Sequence, residues 1–142
     1  MLGFKDGHFD VVCMMDFLEH IEDRDAVIRE AARVLRPGGW FFFHTFNRTP
    51  LSWLIAIKGV EWSVKNTPRH MHIYPLFLKP GELADLCARH GLAVEEVRGV
   101  RPRVFTWAFL GLLVTARVSD RFQFEFTRSL RVGYCGRALK GA

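Results

Sequence analysis

The sequence has few cysteines and no long apolar segment, and each absence excludes a class of protein. Its three cysteines, Cys13, Cys87 and Cys135, are an odd number with no C-x-x-C spacing. This argues against a disulfide framework and against a cysteine-rich zinc site. No apolar run reaches the roughly 18 to 20 residues of a membrane-spanning helix, and no signal-peptide pattern opens the chain. We therefore expect a protein of the reducing cytoplasm that is neither secreted nor membrane-spanning.

The composition predicts one globular domain with an anionic partner. The chain has 142 residues, of which 49% are hydrophobic and 25% charged, and its formal charge is +5. It contains no internal repeat and no linker rich in Pro, Gly or Ser. The basic residues are scattered and no nucleic-acid reading motif is present, so nucleic acid is the weakest candidate partner. Anionic lipid and acidic small molecules remain open.

The first 46 residues predict a strand, a helix and a second strand. FDVVCMM, residues 9–15, is almost unbroken apolar, which is typical of a strand buried on both faces of a parallel sheet. Asp23 and Asp25 favour a helix start, and Arg36 to Gly39, R-P-G-G, favours its end. WFFFHTF, residues 40–46, predicts the second buried strand. Together they predict a right-handed βαβ unit.

After residue 46 the sequence predicts two helices and two strands and leaves one apolar segment unassigned. A mostly apolar helix is expected over 51–65, a helix over 80–90 that begins at Pro80 and stops at Gly91, and strands over 92–100 and 129–140. For 104–114, apolar periodicity does not separate helix from strand. Phe105, Trp107, Phe109 and Leu110 there either close an acceptor pocket or fill the core. We divide the domain into 1–46, an insert for membrane or substrate access at 47–79, and a C-terminal sheet portion at 80–142.

Three motifs together resemble a known family. D-F-L-E-H spans Asp16 to His20, L-R-P-G-G spans Leu35 to Gly39, and Asn47-Arg48 is followed by Ser52-Trp53-Leu54. In this order they resemble class I S-adenosylmethionine-dependent methyltransferases, and most closely the O-methyltransferases of ubiquinone biosynthesis. The resemblance weakens after about Gly99. It implies an α/β fold with a Rossmann-like sheet and S-adenosylmethionine as cofactor.

The resemblance also implies that half of the family's fold is missing. The sequence has no G-x-G-x-G loop to hold the cofactor, and Met1 falls about where the family's third strand ends. We therefore expect the C-terminal half of the sheet, with the equivalents of strands four to seven. The first strand present, Phe9 to Met15, then becomes an apolar edge. Such an edge favours self-association, pairing with the missing half, or aggregation.

The acidic motif after the first strand has three interpretations. On one helical turn, Asp16, Glu19 and His20 would share a face, and two carboxylates with an imidazole can hold a divalent cation. The resemblance implies a magnesium site at these residues, where the metal would lower the pKa of the acceptor hydroxyl. His20 could instead act as general base for a phenol. The third interpretation is a surface turn whose acids favour the following helix.

The resemblance also implies positions for the cofactor and the acceptor. Met14 and Met15 close the first strand where such enzymes receive S-adenosylmethionine, with Met15 offering its backbone. His44 either lines the substrate pocket or is an ordinary bonded histidine. Trp53, Leu54, Ile57 and Trp62, with basic neighbours, have the composition of an interfacial helix, although a buried helix is equally compatible. His70 and His72 lack acid or thiol partners at ligand spacing and are interpreted as loop residues.

The function expected from the resemblance is methylation of a phenolic hydroxyl on a polyprenylated quinone precursor. The acceptor would stay in the bilayer, so we expect a cytoplasmic enzyme peripheral to the inner face of the membrane. One alternative is another class I small-molecule methyltransferase that uses no metal. The other is a non-enzymatic remnant or partner subunit, which the missing glycine loop favours.

Overall fold

The computed structural model of the chain describes residues 2–55, 74–115 and 119–142. In this part of the chain, five strands form one mixed sheet in the order β1-β2-β5-β3-β4. The strands are β1 (Phe9–Met15), β2 (Leu35–Phe46), β3 (Leu92–Pro102), β4 (Phe124–Thr127) and β5 (Gly133–Lys140). The helices are α1 (Arg24–Val34), α2 (Pro80–Arg89) and α3 (Trp107–Thr115). The expected α/β fold is thereby confirmed.

The predicted strand-helix-strand unit is confirmed. β1 and β2 are parallel, and α1 connects them. Asp23 caps α1 by accepting a hydrogen bond from the backbone N–H of Ala26 at 3.0 Å, as its position in the sequence predicts. At the other end of α1, the Lys140 ammonium donates to the carbonyls of Ala32 and Leu35, both at 2.6 Å. A cation at this end satisfies carbonyls that the helix leaves unpaired.

The R-P-G-G segment lies inside β2, not in a separate turn. α1 ends at Val34 and β2 begins at once with Leu35, so the strand starts five residues before the predicted Trp40. The pairing with β1 is irregular here, because Phe9 faces Leu35 whereas Val11 already faces Trp40. A Cβ on Gly39 would lie 2.8 Å from the Arg36 carbonyl oxygen, so a side chain there would force the backbone apart.

The elements predicted for the C-terminal part are confirmed, and two are added. α2 begins at Pro80 with Leu83, Leu86 and Cys87 buried on one face, and β3 and β5 fall inside the predicted ranges or within two residues of them. The apolar segment that periodicity left open is the helix α3. β4 was not predicted, although its alternating sequence FEFT, preceded by Phe122 and Gln123, is typical of an exposed strand.

The core lies on one face of the sheet, between the strands and the helices α1 and α2. Phe41 and Phe43 of β2 are fully buried there, with Tyr134 of β5 beside them. The Tyr134 hydroxyl donates a hydrogen bond of 2.8 Å to the carbonyl of Leu78. Burial raises the pKa of this tyrosine. The other face is more open: Trp40, Phe42 and His44 of β2 are only half-buried.

β1 is an edge strand of the described sheet. It pairs with β2 alone, and Val11 and Met15 are 47% and 53% exposed. The expectation of a strand buried on both faces is therefore wrong for this chain, whereas the expected apolar edge is present. The reason is that no strand of the described residues lies on the other side of β1.

Most of the predicted insert helix lies outside the described residues, including Ile57 and Trp62, and so do His70 and His72. In the described part, Pro50–Ser52 forms one helical turn that Thr49 caps, and Trp53 and Leu54 are exposed. No helix within 2–55, 74–115 or 119–142 is long and apolar enough to cross a membrane.

We predict that Tyr134→Phe destabilises the fold by about 1 to 3 kcal/mol, because it leaves the buried Leu78 carbonyl without a donor. Urea unfolding at pH 7 measures the difference. The same change at the half-buried Tyr74 is the control, and we expect it to cost less than about 0.5 kcal/mol. Equal costs at the two tyrosines would contradict the assignment.

Candidate active site

Two polar groups meet where the parallel strands β1 and β2 end. In the register of the sheet, Met15 lies opposite His44, and the backbone N–H of Asp16 donates to the His44 carbonyl at 3.2 Å. Asp16 has a φ of 51°, a left-handed backbone that asparagine and aspartate tolerate better than most residues. This conformation brings the Asp16 carboxylate to 2.7 Å from Nδ1 of His44. The result is a carboxylate-imidazole pair at the carboxyl end of both strands.

The second carboxylate of the motif turns inward. Glu19 lies in the single 3-10 turn Leu18–His20 and is fully buried. Its Oε2 accepts a hydrogen bond of 2.7 Å from the Thr45 hydroxyl, whereas its Oε1 has no hydrogen-bond partner among the described residues. Burying a carboxylate oxygen without a donor is costly, so the Thr45 hydroxyl stabilises this arrangement.

The two carboxylates therefore lie toward opposite faces of the sheet. His44 and Thr45 are consecutive residues of β2, and consecutive side chains of a strand point to opposite faces. Asp16 is bonded to the first and Glu19 to the second. The prediction that residues 16–20 form one helical turn with a shared face is wrong, because Asp16 is left-handed and the turn begins only at Leu18.

The implied magnesium site does not fit this geometry. Magnesium needs several oxygen ligands around one point, and these two carboxylates are held apart by the sheet. Within the described ranges, no group of three His, Cys, Asp or Glu side chains could hold a metal ion. His20 is exposed at the end of the 3-10 turn, and its roles as ligand or as base stay predictions.

A shallow groove of about 240 Å³ runs across the open face of the sheet. The groove begins at Met15, passes Phe42 and reaches Phe126 on β4. Cys135, Gly136 and Arg137 of β5 also line it. The guanidinium of Arg137 lies 4.9 Å from the ring centre of Trp40 on the same face. Because Met15 faces His44 in the register, the groove starts beside the Asp16-His44 pair. An aromatic acceptor fits an apolar groove of this kind.

A larger, charged cleft of about 480 Å³ lies between the starts of α1 and α2. Its arginines hold the fold together: Arg24 donates to the carbonyls of Leu18 and Leu76, Arg48 pairs with Glu82, and Arg89 pairs with Asp25. Burial lowers the pKa of Arg24, and the neighbouring Arg48 lowers it further. We regard this cleft as a structural seam, because each of these guanidinium groups already has a protein partner.

Of the two methionines predicted to bind the cofactor, Met15 fits one wall of such a site. Met15 is accessible at the carboxyl end of an edge strand, and ligands of open α/β sheets bind beyond that end of the strands. Met14 points to the helix-covered face, where it packs against the core, so its contribution is structural. The sequence holds no glycine-rich loop for the opposite wall.

The sequence pattern indicated Asp16, Glu19 and His44, but neither the pairing of Asp16 with His44 nor the part of Thr45. His44 was an expected pocket residue, and the structure shows it bonded to Asp16, a combination that the spacing of 28 residues hides. Thr45 was missed. The available signal was the sheet register: parallel strands that both end in polar residues bring those residues together at one edge.

The fold is that of the class I methyltransferases. The structure superposes on a SAM-dependent methyltransferase from Thermotoga maritima with a TM-score of 0.62 and 21% identity, covering 99% of this chain and 60% of that one. A SAM-dependent methyltransferase from Methanosarcina mazei gives a TM-score of 0.58 and 19% identity, covering 99% of this chain and 63% of that one. At these identities the likeness establishes the fold alone.

Relatives found by sequence share a higher percentage identity with the chain than these solved structures do. A protein of Thiobacillus denitrificans named ubiquinone biosynthesis O-methyltransferase is 46% identical over 94 residues, 66% of this chain and 40% of that protein. The protein of the same name from Bordetella pertussis is 42% identical over 103 residues, 72% of this chain and 43% of that protein. The chain thus spans less than half the length of these relatives. A methyltransferase-domain family profile matches residues 2–97, and the chain belongs to that family.

We predict that Thr45→Val destabilises the chain by about 1.5 to 3 kcal/mol, because the buried Glu19 carboxylate loses the hydroxyl that donates to it. Thr45→Ser keeps the hydroxyl and is the matched control, with a smaller expected loss. Urea unfolding of both variants measures the difference. If valine and serine behave alike, Glu19 does not depend on Thr45 and the inward orientation is contradicted.

Proposed function

We propose that this chain is the acceptor-side half of an S-adenosylmethionine-dependent O-methyltransferase that methylates a phenolic hydroxyl of a polyprenylated quinone precursor. The observation that carries the proposal is the Asp16-His44 pair, with Nδ1 of His44 2.7 Å from a carboxylate oxygen of Asp16 at the carboxyl end of two parallel strands. The substrate class rests on the relatives named ubiquinone biosynthesis O-methyltransferase.

The pair supplies the base that such a reaction needs. When Nδ1–H donates to Asp16, the Nε2 lone pair of His44 is available to a phenolic hydroxyl. His44 would take the phenol proton while the phenol oxygen receives the methyl group, which S-adenosylmethionine, when bound, would release from its sulfonium sulfur. Asp16 fixes the tautomer and stabilises the imidazolium that forms. The phenol ring lies in the groove that starts at Met15.

S-adenosylmethionine would supply the methyl group. In this proposal the backbone of Met15 lines one side of the S-adenosylmethionine site. Residues equivalent to the part of the relatives that this chain does not match would line the other side. Equilibrium binding of labelled S-adenosylmethionine to the purified 142-residue chain is the first test. Saturable binding supports activity of the chain itself. Absence of binding favours the second candidate function below.

We also propose that the enzyme works at the cytoplasmic side of a membrane, because a polyprenyl tail keeps the acceptor in the bilayer. The exposed Trp53 and Leu54, 39% and 53% accessible at the start of the insert, support a contact with the lipid interface. Trp and Leu side chains partition favourably into that interface.

The second candidate function is a partner subunit without catalysis of its own. It is favoured by the open edge of β1, where Val11 and Met15 are about half exposed, and by the missing glycine loop. An unpaired apolar edge favours pairing with another strand. Analytical ultracentrifugation of the chain alone and with a candidate partner measures such association.

We predict that His44→Ala lowers kcat for methyl transfer by about 100-fold or more while KM for S-adenosylmethionine changes little, because the base acts only on the acceptor. Asp16→Asn should lower kcat by a smaller factor. The assay follows labelled methyl groups from S-adenosylmethionine to a phenolic quinone precursor.

The chain contains a matched control for this experiment. His90 is also bonded to an aspartate, with Nε2 3.1 Å from Asp25, but it lies at the end of α2 away from the strand ends. His90→Ala should leave kcat within about two-fold. Full activity of His44→Ala together with loss of activity in His20→Ala would transfer the role of base to His20.

The proposal contains no metal step. If it is correct, a chelator should leave the kcat of methyl transfer unchanged within about two-fold, and added magnesium should not raise it. A strict magnesium requirement that Glu19→Gln removes would show that Glu19 turns outward during the reaction, contrary to its buried position.

A further inference from the structure

An exposed apolar surface lies at the end of the sheet away from β1. We call it the aromatic surface, and it consists of the segment before α3, the helix itself and β4. Phe105 is 99% exposed and Trp107 is 89% exposed, and no described side chain of α3 is buried. Its other exposed members are Leu110, Val114, Phe124 and Phe126. Large side chains so exposed mark a contact surface. The expectation that Phe105, Trp107, Phe109 and Leu110 fill the core is wrong for Phe105, Trp107 and Leu110, which are exposed.

The aromatic surface is an ordered unit of the structure. Phe109 of α3 stacks on Phe122 at 6.4 Å between ring centres, and Phe122 meets Phe124 of β4 at 5.5 Å. The Thr106 hydroxyl accepts a hydrogen bond from the backbone N–H of Phe109 at 3.1 Å. These contacts fix α3 against β4 while its apolar residues remain accessible.

The aromatic surface lies at the same sheet edge as the candidate active site. β3 is antiparallel to β5, and β5 is antiparallel to β2, so β3 and β2 run in the same direction. Their carboxyl ends are therefore at one edge, and α3 follows β3 there. With β5 between them, β2 and β3 are about 10 Å apart. The edge of β1 is four strand spacings from β4, about 19 Å away.

The charge around the aromatic surface fits an anionic bilayer. Residues 101–131 contain six arginines, no lysine and two acids, a formal charge of +4 out of +5 for the whole chain. Arg121, Arg128 and Arg131 are exposed. Glu125 is already paired with Arg101 at 2.8 Å. An apolar helix flanked by exposed arginines is typical of a segment that lies at the headgroup level of anionic lipid.

We propose that the aromatic surface docks on an anionic lipid bilayer and so places the carboxyl edge of the sheet at the membrane. The inference rests on the proposed function in one respect, which is that a polyprenylated acceptor must be reached from lipid. Phe105 and Trp107 insert among the headgroups, and the arginines contact lipid phosphates. This surface is separate from the expected insert helix at 51–65.

The test is binding of the 142-residue chain to vesicles, without cofactor or acceptor. Vesicles of phosphatidylcholine with 30 to 40% phosphatidylglycerol, on the order of the anionic content that attracts basic segments, are compared with neutral ones. We expect at least about ten-fold weaker binding to neutral vesicles, and at least about ten-fold weaker binding of Phe105→Ser/Trp107→Ser to anionic ones. Phe4→Ser, an exposed aromatic residue far along the sequence, is the control and should bind like the parent chain.

Three results would overturn the proposal. Loss of vesicle binding in Trp53→Ser but not in Phe105→Ser/Trp107→Ser would assign the contact to the insert. Equal binding to neutral and anionic vesicles would remove the role of the arginines. A dimer in lipid-free solution that Phe105→Ser/Trp107→Ser converts to a monomer would make the surface an interface between two copies.

The lipid-docking proposal and the proposed function can be contradicted independently of each other. Vesicle binding requires neither S-adenosylmethionine nor the Asp16-His44 pair, so it should persist in His44→Ala. Conversely, Phe105→Ser/Trp107→Ser should retain methyl transfer to a short-chain, water-soluble phenol while losing it for an acceptor presented in anionic vesicles.

Discussion

His44 and Thr45 are adjacent at the end of β2, and each holds one of the two carboxylates that follow β1. Because strand side chains alternate, Glu19 is drawn to the helix-covered face and Asp16 to the open face. On the covered face, Glu19 and Thr45 lie fully buried with Phe41 and Phe43, and they attach the 3-10 turn to the core. On the open face, Asp16 and His44 stay accessible beside the groove. One sheet register thus places the Glu19 carboxylate in the core and the Asp16 carboxylate at the proposed active site.

The elements that the sequence predicts well are those defined by local patterns. Apolar runs, the Asp23 cap and Pro80 at a helix start depend on neighbouring residues only. The structure confirms the strands Phe9–Met15 and Leu35–Phe46 and the helices Arg24–Val34 and Pro80–Arg89 that these patterns predict. The early start of β2 and the geometry of the acidic motif could not be predicted in this way. The left-handed backbone of Asp16 is stabilised by hydrogen bonds to His44, 28 residues away. Helical spacing therefore wrongly predicted that Asp16 and Glu19 share one face of a helical turn.

The segment after Gly99 shows a different limit. An apolar sequence such as WAFLGLLVT does not specify whether its surroundings are protein, lipid or water, because burial depends on which other elements pack against it. Here α3 contacts β4 through Phe109 and Phe122 and leaves Trp107 exposed. The family resemblance also weakens at this point, so neither pattern nor likeness could place these residues.

The parallel direction of β2 and β3 connects the chemistry to the surface that would meet lipid. A phenol attached to a polyprenyl tail has its reactive ring at headgroup depth, so the base must lie close to the plane of the membrane contact. β2, which carries His44, and β3, which precedes Trp107 in the chain, end at the same sheet edge, and the two strands are about 10 Å apart. A docked aromatic surface would therefore bring the groove, which is lined by Met15 and Phe126, near the bilayer, and the ring could reach His44 without its tail leaving the lipid.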